Sequence, residues 1–271
     1  MMRSLWSAAS GMIAQQTNVD TIAHNISNVN TTGYKTEKTE FKTLLYQDIQ
    51  ARTTTANGEN KPIPAQVGLG TRVASNTSMF TQGALLDSES DTAFAIDGEG
   101  FFAVRGGDGN TYYTRNGNFT WSIAPNGTIL TTSDGYPVLD SNGNMIRVPD
   151  GVVAERVKAT GTGQFYYLDE RGNAVDMNQS FGLYQFNNPA GLEKLSNSLL
   201  TVTDASGNPL NEATAGGLKR SGVRQGYLEG SNVQVADEMV NLIVAQRAYE
   251  LNSKAIQASD SMLEQANQLR R

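Results

Sequence analysis

The last stretch of the chain sets the terms for all that precedes it. Residues 233–269 contain neither Pro nor Gly, and Val235, Leu242, Tyr249, Ile256 and Leu263 recur every seven residues. Such a column predicts one continuous helix, roughly 55 Å long at the α-helical rise. The companion column half a heptad on is polar or small: Met239, Gln246, Ser253, Asp260 and Asn267. A helix with one firm apolar column and one soft one does not stand alone in water. It needs neighbours, and other copies of the chain can supply them.

The first stretch mirrors the last. Leu5, Met12, Val19 and Ile26 also repeat every seven residues, supported by Ala8, Ala9, Ile22, Ala23 and Val29. Ser4 is placed to cap this helix, and Thr31-Thr32-Gly33 to end it, with Gly33 taking the left-handed stop. Between Ser4 and Val29 the only full charge is Asp20. A water-facing helix carries more charge than that, so its Ser, Gln, Thr and Asn face is expected to pack against protein. Two heptad helices at opposite ends predict an antiparallel pair.

Between them the period changes. Residues 34–50 mix helix-like spacing (Phe41, Leu44, Leu45, Ile49) with Thr and Tyr, and read as a short helix or an extended arm. Residues 51–64 are polar with Gly58, Pro62 and Pro64, the composition of an exposed loop. Residues 65–85 read as extended. From 93 to about 200 turn signals dominate: Asp97-Gly98, Gly107-Asp108-Gly109-Asn110, Asn116-Gly117, Asn126-Gly127, Asp134-Gly135, Asn142-Gly143 and Arg171-Gly172-Asn173. Short apolar runs between them predict strands at 93–96, 101–105, 111–114, 119–122, 128–130, 137–139, 145–148, 164–168, 181–186 and 199–203. Residues 203–230 read as Gly- and Asn-rich loop returning to the last helix, capped by Ser231 or Asn232. The expected fold is α+β and nested: a helical part from 1–33 with 231–271, an intermediate segment from 34–92 with 204–230, and an antiparallel β domain at 93–203.

The chain is 271 residues long with net charge -6 and scattered Lys and Arg, so no basic patch for nucleic acid is present. It has no Cys, which excludes disulfides and thiolate metal sites. No run reaches the ~18 apolar residues of a membrane helix. The N-terminal residues are broken by Ser, Gly and Gln too early for a signal-peptide core, so transport out of the cytoplasm is expected without a cleaved signal.

Catalytic chemistry finds little footing. His24 is the only histidine, and no G-x-S-x-G motif accompanies it. Gly68-Leu69-Gly70 and Gly98-Glu99-Gly100 lack the rest of a phosphate loop. Asp140-Ser141-Asn142-Gly143-Asn144 resembles the start of a calcium loop but has no Glu at the twelfth position, so a hairpin turn explains it better. The acidic cluster Asp87, Glu89, Asp91, Asp97 and Glu99 supplies the one enzymatic alternative, a secreted β-rich glycan hydrolase with paired carboxylates. A monomeric adhesin or cap with the end helices as stalk is a third reading. No catalytic, cofactor or metal residue is assigned, and no small-molecule substrate is implied.

The two ends carry a more specific signal. Residues 24–35 (HNISNVNTTGYK) resemble the N-terminal signature of the bacterial flagellar rod and hook proteins, with His24 and Ser27 departing mildly from it. Residues 228–233 (LEGSNV), 238–243 (EMVNLI), 246–250 (QRAYE) and 252–256 (NSKAI) resemble that family's C-terminal signature, and 93–102 (AFAIDGEGFF) the start of its β domain. Length and residues 46–73 point to the distal-rod branch, whose members carry an extra stretch after the N-terminal signature; hook or proximal rod subunits are the runners-up. The resemblance implies a subunit that leaves the cell unfolded through the flagellar type III export apparatus and stacks helically into a tube crossing the periplasm. In that tube the end helices line the inside, the β domain faces outward, and neighbours include other rod and hook subunits and the surrounding ring proteins. It implies self-assembly contacts at Leu5, Met12, Val19, Asn25, Ile26, Asn28, Asn30, Gly33, Val235, Leu242, Gln246, Arg247, Tyr249, Asn252, Ile256 and Leu263.

Overall fold

The computed structural model describes residues 2–50, 65–125, 127–149, 151–169 and 171–269. The loop expected at 51–64 lies outside them, as does half of the Asn126-Gly127 turn. The chain divides into two compact units, one formed by Met1–Ser27, Glu37–Ser78 and Gln234–Arg271, the other by Asn28–Thr36 and Met79–Val233.

The first unit holds both long helices, α1 (Met2–Ser27) and α2 (Val235–Gln268). They run antiparallel: the Ser4 and Ser259 hydroxyls share a hydrogen bond of 3.2 Å at one end, and Asn25 reaches Glu238 at the other. The two end helices and their antiparallel pairing are as expected, but both capping assignments are not. Ser4 sits inside α1. Residue Gln234 begins α2 with no side-chain cap, because Asn232 is engaged elsewhere: its Oδ1 accepts from the Thr36 backbone N–H at 2.7 Å, and its Nδ2 donates to Met79 O and Thr81 Oγ1. Helix α1 ends at Ser27, six residues before Gly33.

Residues 37–50 and 65–78 take the extended alternative, not the helical one. Strand β1 (Glu37–Thr43) pairs antiparallel with β4 (Thr71–Ser78), and β2 (Tyr46–Gln50) with β3 (Ala65–Gly68). The Thr- and Glu-rich run of β1 offers no stripe for a helix to bury, while its alternation suits a two-stranded ribbon. The ribbon packs on α1 through hydroxyls: Thr39 Oγ1 donates to Thr21 Oγ1 at 2.9 Å, and the Thr71 N–H donates to Ser10 Oγ at 3.2 Å.

The second unit is antiparallel β throughout. Its strands are β5 (Leu85–Asp87), β6 (Phe94–Asp97), β7 (Phe101–Arg105), β8 (Thr111–Thr114), β9 (Phe119–Ala124), β10 (Gly127–Thr132), β11 (Val157–Ala159), β12 (Gln164–Leu168), β13 (Ala174–Ser180), β14 (Leu183–Gln185), β15 (Glu193–Lys194), β16 (Leu200–Thr201), β17 (Leu210–Asn211), β18 (Gly222–Gln225) and β19 (Tyr227–Glu229). The largest sheet has the order β15-β16-β8-β7-β14-β17. Strand β7 is central and buried on both faces, which is why FFAV reads as an unbroken apolar run. Phe102 and Val104 join a core with Phe94, Phe119, Phe165 and Phe181, while Phe101 and Ala103 join a second core with Tyr113, Leu139 and Phe186.

Three expectations change here. Residues 137–139 and 145–148 contribute isolated bridges rather than strands. Residues 203–230 are not all loop: β17 pairs with β14, β18 with β6 and β19 with β5. Gly117 does not serve a positive-φ hairpin; it is small because the Phe94 carbonyl passes against it, where a Cβ would sit 1.6 Å from the oxygen. Gly143, by contrast, does turn a hairpin at φ 82, with Asp140 Oδ1 accepting from the Asn142 and Asn144 N–H groups at 2.8 Å each. That is the turn geometry the calcium-like motif encodes.

Candidate assembly interface

The helix pair meets along an unexpected seam. Ser4 faces Ser259, Gly11 faces Asn252 and Asn25 faces Glu238, so each step of seven along α1 meets a step of seven back along α2. The buried column of α2 is Glu238, Ala245 and Ser259, with Asn252 half-buried between them. The column expected to accompany the apolar one, beginning at Met239, lies one residue away and is largely exposed. Small and polar side chains at the crossing let the backbones approach closely, much as they do where apolar bulk would hold helices apart.

The apolar columns flank this seam. Leu5, Met12, Val19 and Ile26 are half-buried on α1, as are Leu242, Ile256 and Leu263 on α2; Val235 and Tyr249 are exposed. Gln246 and Arg247 are exposed too, and Arg247 Nη1 donates to Glu250 Oε2 at 2.8 Å.

Asn25 is the hub of the unit. Its Nδ2 donates to Glu37 O at 2.8 Å and to Glu238 Oε2 at 3.1 Å, and its Oδ1 accepts from the Glu37 N–H at 2.9 Å. One amide therefore fixes the end of α1 to the start of β1 and to the first turn of α2. A carboxylate in that turn also faces the positive end of the helix dipole.

What the pair leaves uncovered is large. Met239, Val240, Ile243, Val244 and Leu251 of α2 are exposed, Ile243 at 57% and Leu251 at 65%, and Trp6 and Ile13 of α1 likewise. A helix of this length in a folded unit ordinarily buries such residues.

The other signature residues lie in the β-rich unit. Asn28 Oδ1 accepts from Thr31 Oγ1 at 3.1 Å in the turn after α1, and Asn30 is exposed. Gly33 adopts φ 70, and a Cβ there would come to 2.8 Å of the Arg115 carbonyl carbon. Its N–H donates to Glu229 O at 2.8 Å. Lys35 Nζ is buried and lies 2.5 Å from Glu229 Oε1, with Arg115 Nη1 3.6 Å from Glu229 Oε2. Burial pushes the Lys35 ammonium below the usual lysine range, and the Glu229 charge and hydrogen bond pull it back up.

The two terminal signatures thus converge, residues 33–35 on residue 229, as one family's paired motifs would. A family model described as flagella basal body rod protein matches residues 5–35, one described as the FlgE/F/G D1 domain of flagellar hook protein matches 95–176, and one described as the C-terminal region of flagellar basal body rod FlgEFG protein matches 224–269. The flagellar basal-body rod protein FlgG of Borreliella burgdorferi is 43% identical over 273 residues, covering 100% of both chains. The chain belongs to the FlgG family of flagellar basal-body rod proteins. The FlgG of Agrobacterium fabrum is 41% identical over 96% of this chain and 97% of its own, and that of Bacillus subtilis 36% identical over 100% of both.

FlgG membership gives no support to the hydrolase alternative, and neither does the acidic cluster. Asp91 Oδ1 pairs with Lys158 Nζ at 2.6 Å and Asp97 Oδ2 with Arg224 Nη2 at 2.9 Å, both at the surface. These carboxylates are engaged with separate cations rather than gathered across a substrate cleft. His24 lies 4.0 Å from Glu37 Oε1 beside the Asn25 hub.

Reading the sequence missed Ser4, Gly11, Glu238, Ala245 and Ser259 as the seam. Their own seven-residue spacing was the available signal. It also missed the exposed stripe from Val240 to Leu251, and the Lys35–Arg115–Glu229 cluster, whose members are 194 residues apart at the widest.

Proposed function

We propose that this rod protein packs with copies of itself into a helical tube and that the tube carries torque from the flagellar motor to the hook. The exposed apolar stripe of α2, Met239, Val240, Ile243, Val244 and Leu251, is the observation that carries the reading. Among the described residues of one subunit nothing covers it, and a heterologous contact repeated by rotation without closure builds a tube. In that tube residues 1–33 with 231–271 form the core, 34–92 with 204–230 an intermediate segment, and 93–203 the outer domain. Other rod and hook subunits cap its two ends, and ring proteins surround it.

The same reading has the chain exported by the flagellar type III apparatus and built in at the periplasm without loss of its first residues. Helix α1 supports this, since Ser4, Gly11 and Asn25 are spent on the pairing with α2. Cleavage within α1 would take half of the seam with it.

Electron microscopy of purified full-length protein tests the proposal. Tubes with helical order are expected on concentration, and variants carrying Glu at Ile243 or Val244 are expected to stay monomeric with unchanged circular dichroism. Tubes formed equally well by those variants would refute the role of the stripe.

A further inference from the structure

The buried charges of the β-rich unit are sorted along the chain. Its buried cations come early, Lys35 at 5% exposure and Arg115 at 3%. Two buried carboxylates come late, Glu212 and Glu229, the latter at 1%. The third, Asp140, is engaged with the N–H groups of its own turn. Before residues 212–229 arrive, the two cations therefore meet no buried carboxylate among the described residues.

Each cation is poorly provided for without them. Arg115 Nη2 donates to Gly98 O at 2.7 Å and the guanidinium lies 5.2 Å over the Phe101 ring, yet Nε and Nη1 have no hydrogen-bond partner. Desolvation lowers the Arg115 pKa, and the fields of Glu229, Glu212 and Glu99 oppose that. Lys35 donates to Thr81 O at 2.7 Å and feels the like charge of Arg115. Glu229 meets both cations, accepts the Gly83 N–H at Oε1 at 3.0 Å, and offers its carbonyl to Gly33. Unpaired charge of this kind is strongly unfavourable in a dry interior.

We propose that Glu229 is a closing latch: the β-rich unit stays open until its last strand, β19, docks and neutralises Lys35 and Arg115 together. The part of the unit that precedes residue 212 is then kept from settling into its final packing by two uncompensated cations. Closure becomes a single step that requires both ends of the unit's chain. The device concerns one subunit and holds whether or not copies assemble as proposed above.

Hydrogen exchange on three full-length proteins at neutral pH tests it: wild type, Glu229→Gln, and Glu229→Gln with Lys35→Met. Glu229→Gln is expected to lose protection at the amides of Phe101–Arg105 by about a hundredfold or more, the scale of removing one partner of a buried ion pair. Removing one cation as well is expected to return about tenfold of it, since the two sites are coupled. Wild-type protection in Glu229→Gln overturns the latch, and so does a double variant no better protected than the single one. Pulse labelling during wild-type refolding gives a second reading. Amides of Phe101–Arg105 and Tyr227–Glu229 are expected to become protected in one phase, and earlier protection of Phe101–Arg105 overturns the proposal.

Discussion

The side chain of Asn252 lies directly over the backbone of Gly11, so close that a Cβ on Gly11 would stand 2.9 Å from its amide nitrogen. Here α1 offers no side chain of its own, and the Asn252 side chain of α2 fills the space. Alanine normally gains about 1 kcal/mol over glycine inside a helix, but here the gain is offset by pushing Asn252 aside. Gly11→Ala is therefore expected to leave the thermal midpoint nearly unchanged. Gly11→Val cannot be absorbed that way and is expected to destabilise by about 2 kcal/mol, the range of overpacked sites. Thermal unfolding followed by circular dichroism separates the two; a stabilising Gly11→Val would mean the helices are further apart than described.

The seam position at Asn25, two heptads further along α1, carries a larger load. Asn25→Ala removes three hydrogen bonds at once, two to the Glu37 backbone and one to Glu238. At ~1 kcal/mol for each hydrogen bond, a loss of about 3 kcal/mol is expected in urea unfolding. Glu238→Gln keeps an oxygen acceptor for Asn25 and is expected to cost under about 1 kcal/mol. Equal losses for the two variants would show that the charge of Glu238, not the Asn25 hub, holds the corner.

How much of this was written legibly in the sequence depends on the kind of contact involved. The helices could be read because Leu5, Met12, Val19 and Ile26, and the column from Val235 to Leu263, keep a seven-residue period over many turns. The register of the pair could not. Met239 looks like core and Glu238 like surface, yet the structure buries Glu238 on Asn25 and exposes Met239. Strand β7 was legible because both its faces are buried. Strands β18 and β19 were not: they join β6 and β5 through backbone hydrogen bonds, and residues such as Arg224 and Gln225 carry no alternation to betray it. Asn232 had the right chemistry for a helix cap, but only tertiary structure decides that it serves Thr36 and Thr81 instead.

Alkaline pH supplies a test of the second core. Burial, reinforced by the charge of Tyr184 once its phenol ionises, pushes the Tyr113 phenol up to about 12. The folded state thus holds this proton more tightly than the unfolded chain, whose tyrosines release it near 10. Tyr113 contributes its full stability below about pH 10 and loses it as pH rises from there through 12. Allowing for solvent screening, the loss is about 2 kcal/mol. Urea midpoints measured from pH 8 upward are expected to fall more steeply in wild type than in Tyr113→Phe, with the curves converging below about pH 9. Parallel curves would mean that Tyr113 ionises as freely folded as unfolded.

The exposed stripe of α2 gives the prediction on which the assembly reading turns. Ile243 and Val244 are uncovered in the single subunit, whereas Leu242 beside them is half-buried along the helix pair. The two kinds of position should answer differently to a charge. Leu242→Glu places a carboxylate in a partly dry contact within the subunit and is expected to lower monomer stability by about 2 kcal/mol or more. Ile243→Glu leaves the monomer within about 0.5 kcal/mol of wild type, as surface changes do. In association the order reverses in kind: Ile243→Glu would bury an unpaired charge between copies and is expected to abolish tubes while the monomer melts normally. Sedimentation velocity over a concentration series, run beside thermal melts of the same samples, checks both at once. An Ile243→Glu protein that melts normally and still polymerises would show that this face is turned to water in the rod, and that the copies meet through some other surface.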